Sequence, residues 1–186
     1  MIKERMWSMN RLWGHFYTIT SHKIKVAGLC FRCGLYKQGI LHDLSKYSPI
    51  EFISGVRYYQ GHRSPISKEK EVLGYSKGWL HHKGRNRHHW EYWVDFFRQG
   101  MYAVEMPVNF NIEMVCDRIA ASKTYLKESY TDSSPLQYFE GEQGRIAMHP
   151  KTIERTYYLL NYLKDHGEDA LIQHIRKDIL SKRIDF

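Results

Sequence analysis

Apolar residues recur at steps of three and four along most of this chain, the spacing that places them on one face of an α-helix. The first such face predicts a long helix that ends near Gly34, since glycine commonly terminates helices. This face consists of Leu12, His15, Phe16, Ile19, His22, Val26 and Leu29. Segments with the two-residue alternation of half-buried strands are scarce. The pattern therefore predicts an all-α protein, a single-domain helical bundle.

Two shorter elements are predicted after the long helix. Residues 35–46 form a second helix, which carries the pair His42-Asp43. Ser48-Pro49-Ile50-Glu51 then combines an N-cap, a proline at the first helical position and a capping-box glutamate. This signature predicts a third helix that runs to about Tyr59.

Proline, glycine and polar turns divide the rest of the chain. Ser67 is predicted to cap a helix that reaches His81 or His82, and residues 83–87 form a polar turn. Later helices are predicted over residues 108–128, from Pro135, over 151–166 and over 168–181.

Composition places the chain among folded globular proteins. Its 186 residues fit one domain, and 42% of them are hydrophobic. No run of 18 uncharged apolar residues occurs, so no membrane span is expected, and the basic N-terminus runs into no apolar signal core. Three cysteines, an odd number, argue against a disulfide scaffold. We expect a cytoplasmic protein with one domain over residues 1–186.

Charge is distributed unevenly between the two halves. Residues 1–89 carry 16 lysines and arginines against 5 acidic residues, whereas the whole chain has a net charge of +8. A basic half favours an anionic partner, such as a phosphorylated metabolite or a nucleic acid. A solvated basic surface explains any single lysine equally well.

The pair His42-Asp43 is the clearest candidate for chemistry, because a neighbouring imidazole and carboxylate can bind one metal ion or bridge two. Other helices carry further candidates, namely His22, the pairs His81-His82 and His88-His89, and Asp117. Helices that pack together would unite these groups as ligands of one or two divalent transition metal ions. The pattern does not distinguish Fe, Mn, Zn, Co and Ni.

Each candidate also has an ordinary structural explanation. His22 on an apolar stripe is typical of a hydrogen-bonded core histidine, and the two His pairs are compatible with an exposed loop. Asp117 is compatible with a helix salt bridge. Glu113 lies four residues before Asp117 on the same face, which is normally repulsive. A cation between the helices would stabilise a buried Asp117.

The order of these residues resembles the HD-domain superfamily of metal-dependent phosphohydrolases, which are all-α bundles. The run His42-Asp43-Leu44-Ser45-Lys46 is similar to the HDxxK motif of several branches. The longer segments GILHDLSKYSPIEF and HHKGRNRHHWEYW resemble a small family of uncharacterised bacterial and phage proteins. The superfamily resemblance covers about residues 15–125, and the helices of residues 135–182 are expected to pack on that core.

The resemblance implies a set of metal ligands. His22, His42, Asp43 and Asp117 would bind metal directly, and Asp43 would bridge two ions. Extra histidines resemble the branches with two or three metals. His82 and His89 are the first choices from the two pairs, with His81 and His88 as the alternatives.

The same resemblance predicts how a phosphate ester would be hydrolysed. Metal ions would bind phosphate oxygens and activate a water molecule. Lys46, one turn after His42, would contact the phosphate, and Arg85 and Arg87 would bind further oxygens. Asn86 would orient the substrate or close the turn. Glu51 is a candidate general acid/base, although its capping-box position explains it without chemistry.

Two alternatives remain open. A diiron oxygenase of the HD type would use the same six ligands. A non-enzymatic module that binds nucleic acid through its basic half would need none of them, and its binding would collapse with salt. The oligomeric state does not follow from the sequence.

Overall fold

Helices dominate the computed structural model, which describes residues 2–98, 100–142, 144–182 and 186. The helices are α1 (Ile2–Cys33), α2 (Tyr36–Leu41), α3 (Pro49–Tyr58), α4 (Pro65–Leu73), α5 (Lys77–Lys83), α6 (Val108–Leu126), α7 (Ser134–Gly141), α8 (Pro150–His166) and α9 (Glu168–His174). Turns of 3₁₀-helix cover Leu44–Tyr47, Trp90–Trp93 and Lys127–Ser129, and a π-helical turn covers Ile175–Ile179. The prediction of an all-α fold is confirmed.

The predicted second helix is shorter than expected, which matters for the His-Asp pair. It ends at Leu41, and His42 is its C-cap. Asp43 has a φ of 54°, in the left-handed region that aspartate tolerates better than most residues. The pair therefore lies at a sharp break between α2 and a 3₁₀ turn, and the prediction that a helix carries it is wrong.

The predicted fourth helix is two helices. Gly74 ends α4 with a φ of 78°, a conformation that favours glycine. Ser76 then caps α5, because its side chain accepts a hydrogen bond from the Trp79 backbone N–H at 2.9 Å. The prediction that Ser67 caps this stretch is also wrong, since α4 begins at Pro65. The break turns the histidines of α5 toward α3.

A small antiparallel hairpin was not predicted. Strands β1 (Val94–Phe97) and β2 (Gly100–Ala103) pair so that Phe96 faces Met101. Both of these side chains are exposed, so burial imposed no alternation on the sequence. Among the described residues this hairpin forms the sheet structure of the protein.

One hydrophobic core joins the N-terminal helix to the C-terminal ones. Helix α1 packs against α6 and α9, and α6 packs against α8. Leu159, Leu160 and Leu163 are fully buried in this core, each removing apolar surface worth about 1.5–3 kcal/mol from water. The C-terminal helices thus lie against the helices that carry Asp117 and His22.

The three cysteines lie in the same core, buried and free.

None of the helices in the described part of the chain combines the length and apolar character needed to cross a bilayer.

Candidate metal centre

Four separate parts of the fold direct histidine and carboxylate side chains to one buried place. Helix α1 supplies His22, the break after α2 supplies His42 and Asp43, and α6 supplies Glu113 and Asp117. Helix α5 and the turn after it supply His82, His88 and His89. Most of these side chains are buried, and their ligand atoms converge on Asp43.

Asp43 is the centre of the cluster. Its Oδ1 lies 3.2 Å from His82 Nε2 and 3.4 Å from His88 Nε2. Its Oδ2 lies 3.3 Å from His42 Nε2 and 2.5 Å from the Lys46 ammonium. One carboxylate thus faces imidazoles with both of its oxygens, as a bridging ligand does.

His22 and Asp117 form the side of the cluster nearest α1 and α6. His22 Nε2 lies 2.8 Å from Asp117 Oδ1 and 3.8 Å from Asp43 Oδ2. His42 Nε2 lies 3.8 Å from the same Asp117 oxygen. The alternative explanation of Asp117 was a helix salt bridge. In the described structure Asp117 contacts histidines rather than an arginine or lysine.

Two groups of residues have a geometry that fits a metal ion. His22, His42 and Asp43 form one group, and Asp43, His82, His88 and His89 form the other. Within each group the ligand atoms lie within 4.8 Å of one another. Because Asp43 belongs to both groups, the arrangement suits two ions with one bridging carboxylate.

The six first-choice ligands all come together in this cluster, and so does one of the alternatives. His88 joins the group of His82 and His89. His81 does not belong to either group, because its Nδ1 lies 2.6 Å from Glu51 Oε1 instead. From the second His pair, therefore, both members face the cluster.

Unpaired buried atoms provide the test of whether a cation fits. His42 Nε2, His88 Nε2 and Asp43 Oδ1 are buried and have no hydrogen-bond partner within the described structure. The other oxygen of Asp43 contacts the Lys46 ammonium. A buried polar atom left unpaired costs about 1–3 kcal/mol, so native proteins rarely retain several together. A divalent ion would satisfy nitrogen lone pairs and carboxylate oxygens simultaneously. The residues present therefore fit a metal.

Glu113 orients two of the histidines. Its Oε1 lies 2.9 Å from His42 Nδ1 and 3.1 Å from His88 Nδ1. An ionised carboxylate only accepts hydrogen bonds, so both Nδ1 atoms must carry protons. Each Nε2 then presents its lone pair toward Asp43, which is how carboxylates orient metal-binding histidines. His42, His88 and Glu113 also form a compact group of three, which this pair of hydrogen bonds explains.

Glu51 orients two further histidines, those of α5. Its two oxygens lie 2.6 Å from His81 Nδ1 and 2.7 Å from His82 Nδ1. The capping-box prediction is wrong, since the Ser48 side chain makes no cap hydrogen bond and Glu51 turns to the imidazoles. An ionised carboxylate forms a stronger hydrogen bond with a partly charged imidazole than with a backbone N–H. Glu51, the candidate general acid/base, thus contacts His81 and His82.

The charges in the cluster are strongly coupled. Burial alone would raise the pKa of Asp43, but His42, Lys46 and His82 outweigh it and hold that pKa well below its usual range. Burial would lower the pKa of His42, yet with no cation bound Asp43 and Glu113 raise it to about 10, so that a proton occupies the Nε2 position that a metal ion would take. The site therefore stabilises positive charge strongly, as a cation site must.

A pocket of about 210 Å³ opens beside the cluster. His22, Asp117 and Lys46 line the end at the metal centre, and Glu69 and His15 line other parts of the wall. Most of the remaining surface is apolar. Lys46 thus lies at the junction of the histidine-carboxylate cluster and the pocket.

The structure does not bring the predicted arginines to this pocket. Arg85 is exposed and donates to the His81 carbonyl, and Arg87 lies over the rings of Tyr92 and Phe110. Asn86 is buried, and its Nδ2 donates to Ser45 Oγ at 2.7 Å and to the His82 carbonyl at 2.8 Å. Asn86 therefore closes the turn, the second of its two expected roles.

Comparison with known proteins places the chain in a family. The model of a family of unknown function, DUF5662, matches residues 11–162. The chain belongs to this family. The matched span contains the whole cluster, from His22 to Asp117. None of the curated proteins matches the chain, and neither does any solved structure. The activity of this DUF5662 member therefore has to be inferred from the geometry of its site.

Proposed function

We propose that this DUF5662 member is a metal-dependent phosphohydrolase that acts on a nucleotide or another small phosphorylated molecule. The observation that carries the proposal is the set of buried, unpaired ligand atoms around Asp43. Glu113 and Glu51 hold the histidine tautomers that a metal requires. This preorganisation supports a resident metal centre rather than a chance gathering of histidines.

The donor set supports a pair of divalent transition metal ions. His22, His42 and Asp117 would hold one ion, and His82, His88 and His89 would hold the other. Asp43 would bridge them. Such ions supply Lewis acidity toward phosphate oxygens and a nucleophilic water near neutral pH.

The protein's own residues would bind and orient the phosphate. Lys46 offers an ammonium at the junction of cluster and pocket, and an ammonium binds phosphate as a point charge. Burial would lower the pKa of Lys46, but Asp43 and Asp117 raise it, so it stays cationic at neutral pH. Lys46 distinguishes this function from metal binding alone, because a purely structural metal site needs no cation beside an open pocket.

The test combines metal content with phosphate release. Protein reconstituted with Mn²⁺, Fe²⁺, Co²⁺ or Zn²⁺ would be screened against nucleotides and phosphomonoesters under anaerobic conditions. We expect bound metal and phosphate release in the wild type, and the loss of both in His42→Ala and Asp43→Asn. His62→Ala, an exposed histidine outside the cluster, is the matched control and should keep both. Equal metal content in all four proteins would refute the centre.

The same experiment separates the two alternative functions. Substrate loss that requires O₂ and iron, without phosphate release, would support the diiron oxygenase. Salt-sensitive nucleic-acid binding that persists in the His42 and Asp43 variants would support the basic binding module.

A further inference from the structure

Glu69 is a buried carboxylate in the wall of the pocket that begins at the metal centre. Its residue is only 3% exposed. Within the described structure no lysine or arginine forms an ion pair with it, and the neighbouring Lys70 lies over the Trp79 ring instead. Buried charges in proteins are normally paired with an opposite charge, and Glu69 has no such ionic partner among the described residues.

The local fold accounts for only part of what Glu69 does. The Ser76 hydroxyl donates to Glu69 Oε2 while capping α5, and that oxygen lies near the position where Gly78 has no side chain. This hydrogen bond occupies one oxygen. The described structure gives the other oxygen no hydrogen-bond partner. Helix α5 has seven residues, so its dipole is a weak substitute for a cation.

A second unsatisfied group lines the same pocket. His15 is buried, and its Nδ1 has no hydrogen-bond partner among the described residues. Burial, assisted by the charge of Lys46, lowers the pKa of His15 to about 4, so the imidazole is neutral. The unprotonated nitrogen of a neutral imidazole accepts a hydrogen bond, as a carboxylate oxygen does.

We propose that this pocket binds the ammonium end of a zwitterionic phosphomonoester, with Glu69 as its counter-ion. The phosphate would lie at the opposite end, beside Lys46 and the metal centre; that half rests on the proposed function. Ile19, Ile66 and Ala121 line the pocket as well and suit a short hydrocarbon spacer. The substrate class is thus a small aminoalkyl phosphate, because a pocket of about 210 Å³ is below the range of typical drug-sized sites.

Ligands that differ only in their charged ends test the proposal on metal-loaded protein. The probes are aminopropylphosphonate, propylphosphonate and propylamine, with affinities measured by calorimetry. In the wild type we expect aminopropylphosphonate to bind about tenfold more tightly than propylphosphonate, the effect of one charge-assisted contact. Glu69→Gln keeps an acceptor for Ser76 but removes the charge, and should abolish that preference. Ser76→Ala keeps the charge and should retain it.

The outcomes separate this proposal from the proposed function. Equal binding of the two phosphonates by wild type overturns the ammonium subsite, and so does a preference that survives Glu69→Gln. Propylamine binding that depends on Glu69, without binding of either phosphonate, overturns the phosphohydrolase and leaves the subsite standing. Failure of all three probes to bind overturns both.

A second inference comes from the outer face of α1. Large apolar side chains stand exposed along it, including Trp13 at 63%, Tyr17 at 74% and Ile24 at 66%. The stripe comprises Met9, Trp13, Phe16, Tyr17, Thr20 and Ile24, and most of it lines one shallow groove. Exposed apolar surface of this extent usually marks an interaction site.

The spacing of the stripe positions along the helix is the same when counted from either end. Its positions are symmetric about the midpoint between Phe16 and Tyr17, so a two-fold axis there places Trp13 opposite Thr20 of a second copy and Met9 opposite Ile24. A large ring then faces a small side chain, which suits close helix packing. The exposed surface is on the order of 600 Å² per protomer, and doubling it reaches the area of a specific interface.

We infer that α1 pairs antiparallel with α1 of a second copy to form a two-fold dimer. Light scattering across the micromolar range should find a dimer for the wild type. The double variant Trp13→Glu/Ile24→Glu should be monomeric. Phe96→Glu, equally exposed but on the hairpin, is the matched control and should remain dimeric.

Cross-linking tests the arrangement of the two helices. The double variant Trp13→Cys/Thr20→Cys should form a disulfide-linked dimer under mild oxidation, since the native cysteines are buried. A wild type that is monomeric at every concentration overturns the inference. If that monomer sediments with anionic vesicles, the stripe binds a membrane surface instead of a second copy. A dimer lost in Phe96→Glu but kept in the α1 variant also overturns it.

Discussion

His42 Nδ1 donates a hydrogen bond to Glu113 Oε1 across 2.9 Å, deep inside the protein. This contact decides which imidazole nitrogen is protonated and leaves Nε2 free to face Asp43. Because His88 Nδ1 contacts the same carboxylate, one glutamate sets the tautomer of a ligand in each of the two groups.

Replacing Glu113 should therefore weaken metal binding without removing a ligand. Glu113→Gln can keep the one oxygen that both Nδ1 atoms contact, but it removes the negative charge that strengthens these two hydrogen bonds. We expect metal affinity to fall about 10- to 100-fold, measured by competition with a chromogenic chelator. Glu142→Gln, which removes the ion pair with Arg118 outside the cluster, should bind metal normally. Unchanged affinity in Glu113→Gln would remove the orienting role.

His81 and His88, one from each histidine pair, should differ in their response to alanine. His88→Ala removes a nitrogen that faces Asp43, so elemental analysis should show less bound metal per protein. His81→Ala removes a partner of Glu51 but no ligand, so the metal count should stay at the wild-type value. The reverse result would exchange the roles of these two residues.

Lys46→Met should separate catalysis from metal binding. The variant keeps all histidine and aspartate ligands, so its metal content should match that of the wild type. Loss of the ammonium should lower kcat/KM for phosphate release about 100-fold or more, as expected for a charge that stabilises a transition state. Lys70→Met removes a lysine that lies over Trp79 and should leave kcat/KM unchanged. Full activity in Lys46→Met would exclude a direct contact with the phosphate.

Two helical glycines should respond to alanine with opposite signs. A Cβ at Gly55 would lie 2.1 Å from His15 Nε2, and the His15 ring is packed against Phe52 and Tyr59. Gly55→Ala should therefore lower the free energy of unfolding by about 1–3 kcal/mol. A Cβ at Gly28 meets nothing within 4 Å, so Gly28→Ala should raise it by about 0.5–1 kcal/mol. Chemical denaturation of the metal-free protein measures both changes, and equal signs would contradict the packing described.

His15 should make the metal-free protein less stable in mild acid. Its pKa is about 4 in the folded protein, below the usual value of 6.5, so the unfolded chain takes up the proton first as the pH falls. The wild type should lose about 3 kcal/mol from this group between pH 6.5 and pH 4. His15→Gln is neutral throughout and should show a correspondingly shallower loss. Denaturation curves across this range would contradict the assignment if both proteins weakened in parallel.

The sequence predicted the helices and the ligand types because both leave local signals. The apolar face that predicts α1, from Leu12 to Leu29, has helical spacing, and Pro107 marks the start of α6; both signals depend on near neighbours alone. His42 and Asp43 were recognisable as a donor pair for the same reason. Their convergence with Asp117 depends on helix packing. It was expected only because one metal site would need all three side chains.

What the sequence did not reveal depends on contacts between distant segments. Glu51 reads as a capping residue until α5 brings His81 and His82 to it. The only sequence signal for Glu113 was its position four residues before Asp117, where two carboxylates on one helix face normally repel each other. Gly74 and Ser76, a C-cap and an N-cap two residues apart, do mark the break before α5 in the sequence, and there the local signal was misread.

The left-handed backbone of Asp43 limits how this chain can vary. Glycine and asparagine relieve or tolerate a φ of 54°, but glycine has no donor group and the asparagine amide carries no charge. Glutamate keeps the charge, but pays for a longer side chain in a poor backbone conformation. Saturation mutagenesis at Asp43 should therefore find no substitute that keeps the metal content. At the adjacent His42, whose φ is negative, only the side chain restricts the substitution. One position thereby has to meet two independent requirements, a left-handed backbone conformation and a charged oxygen donor.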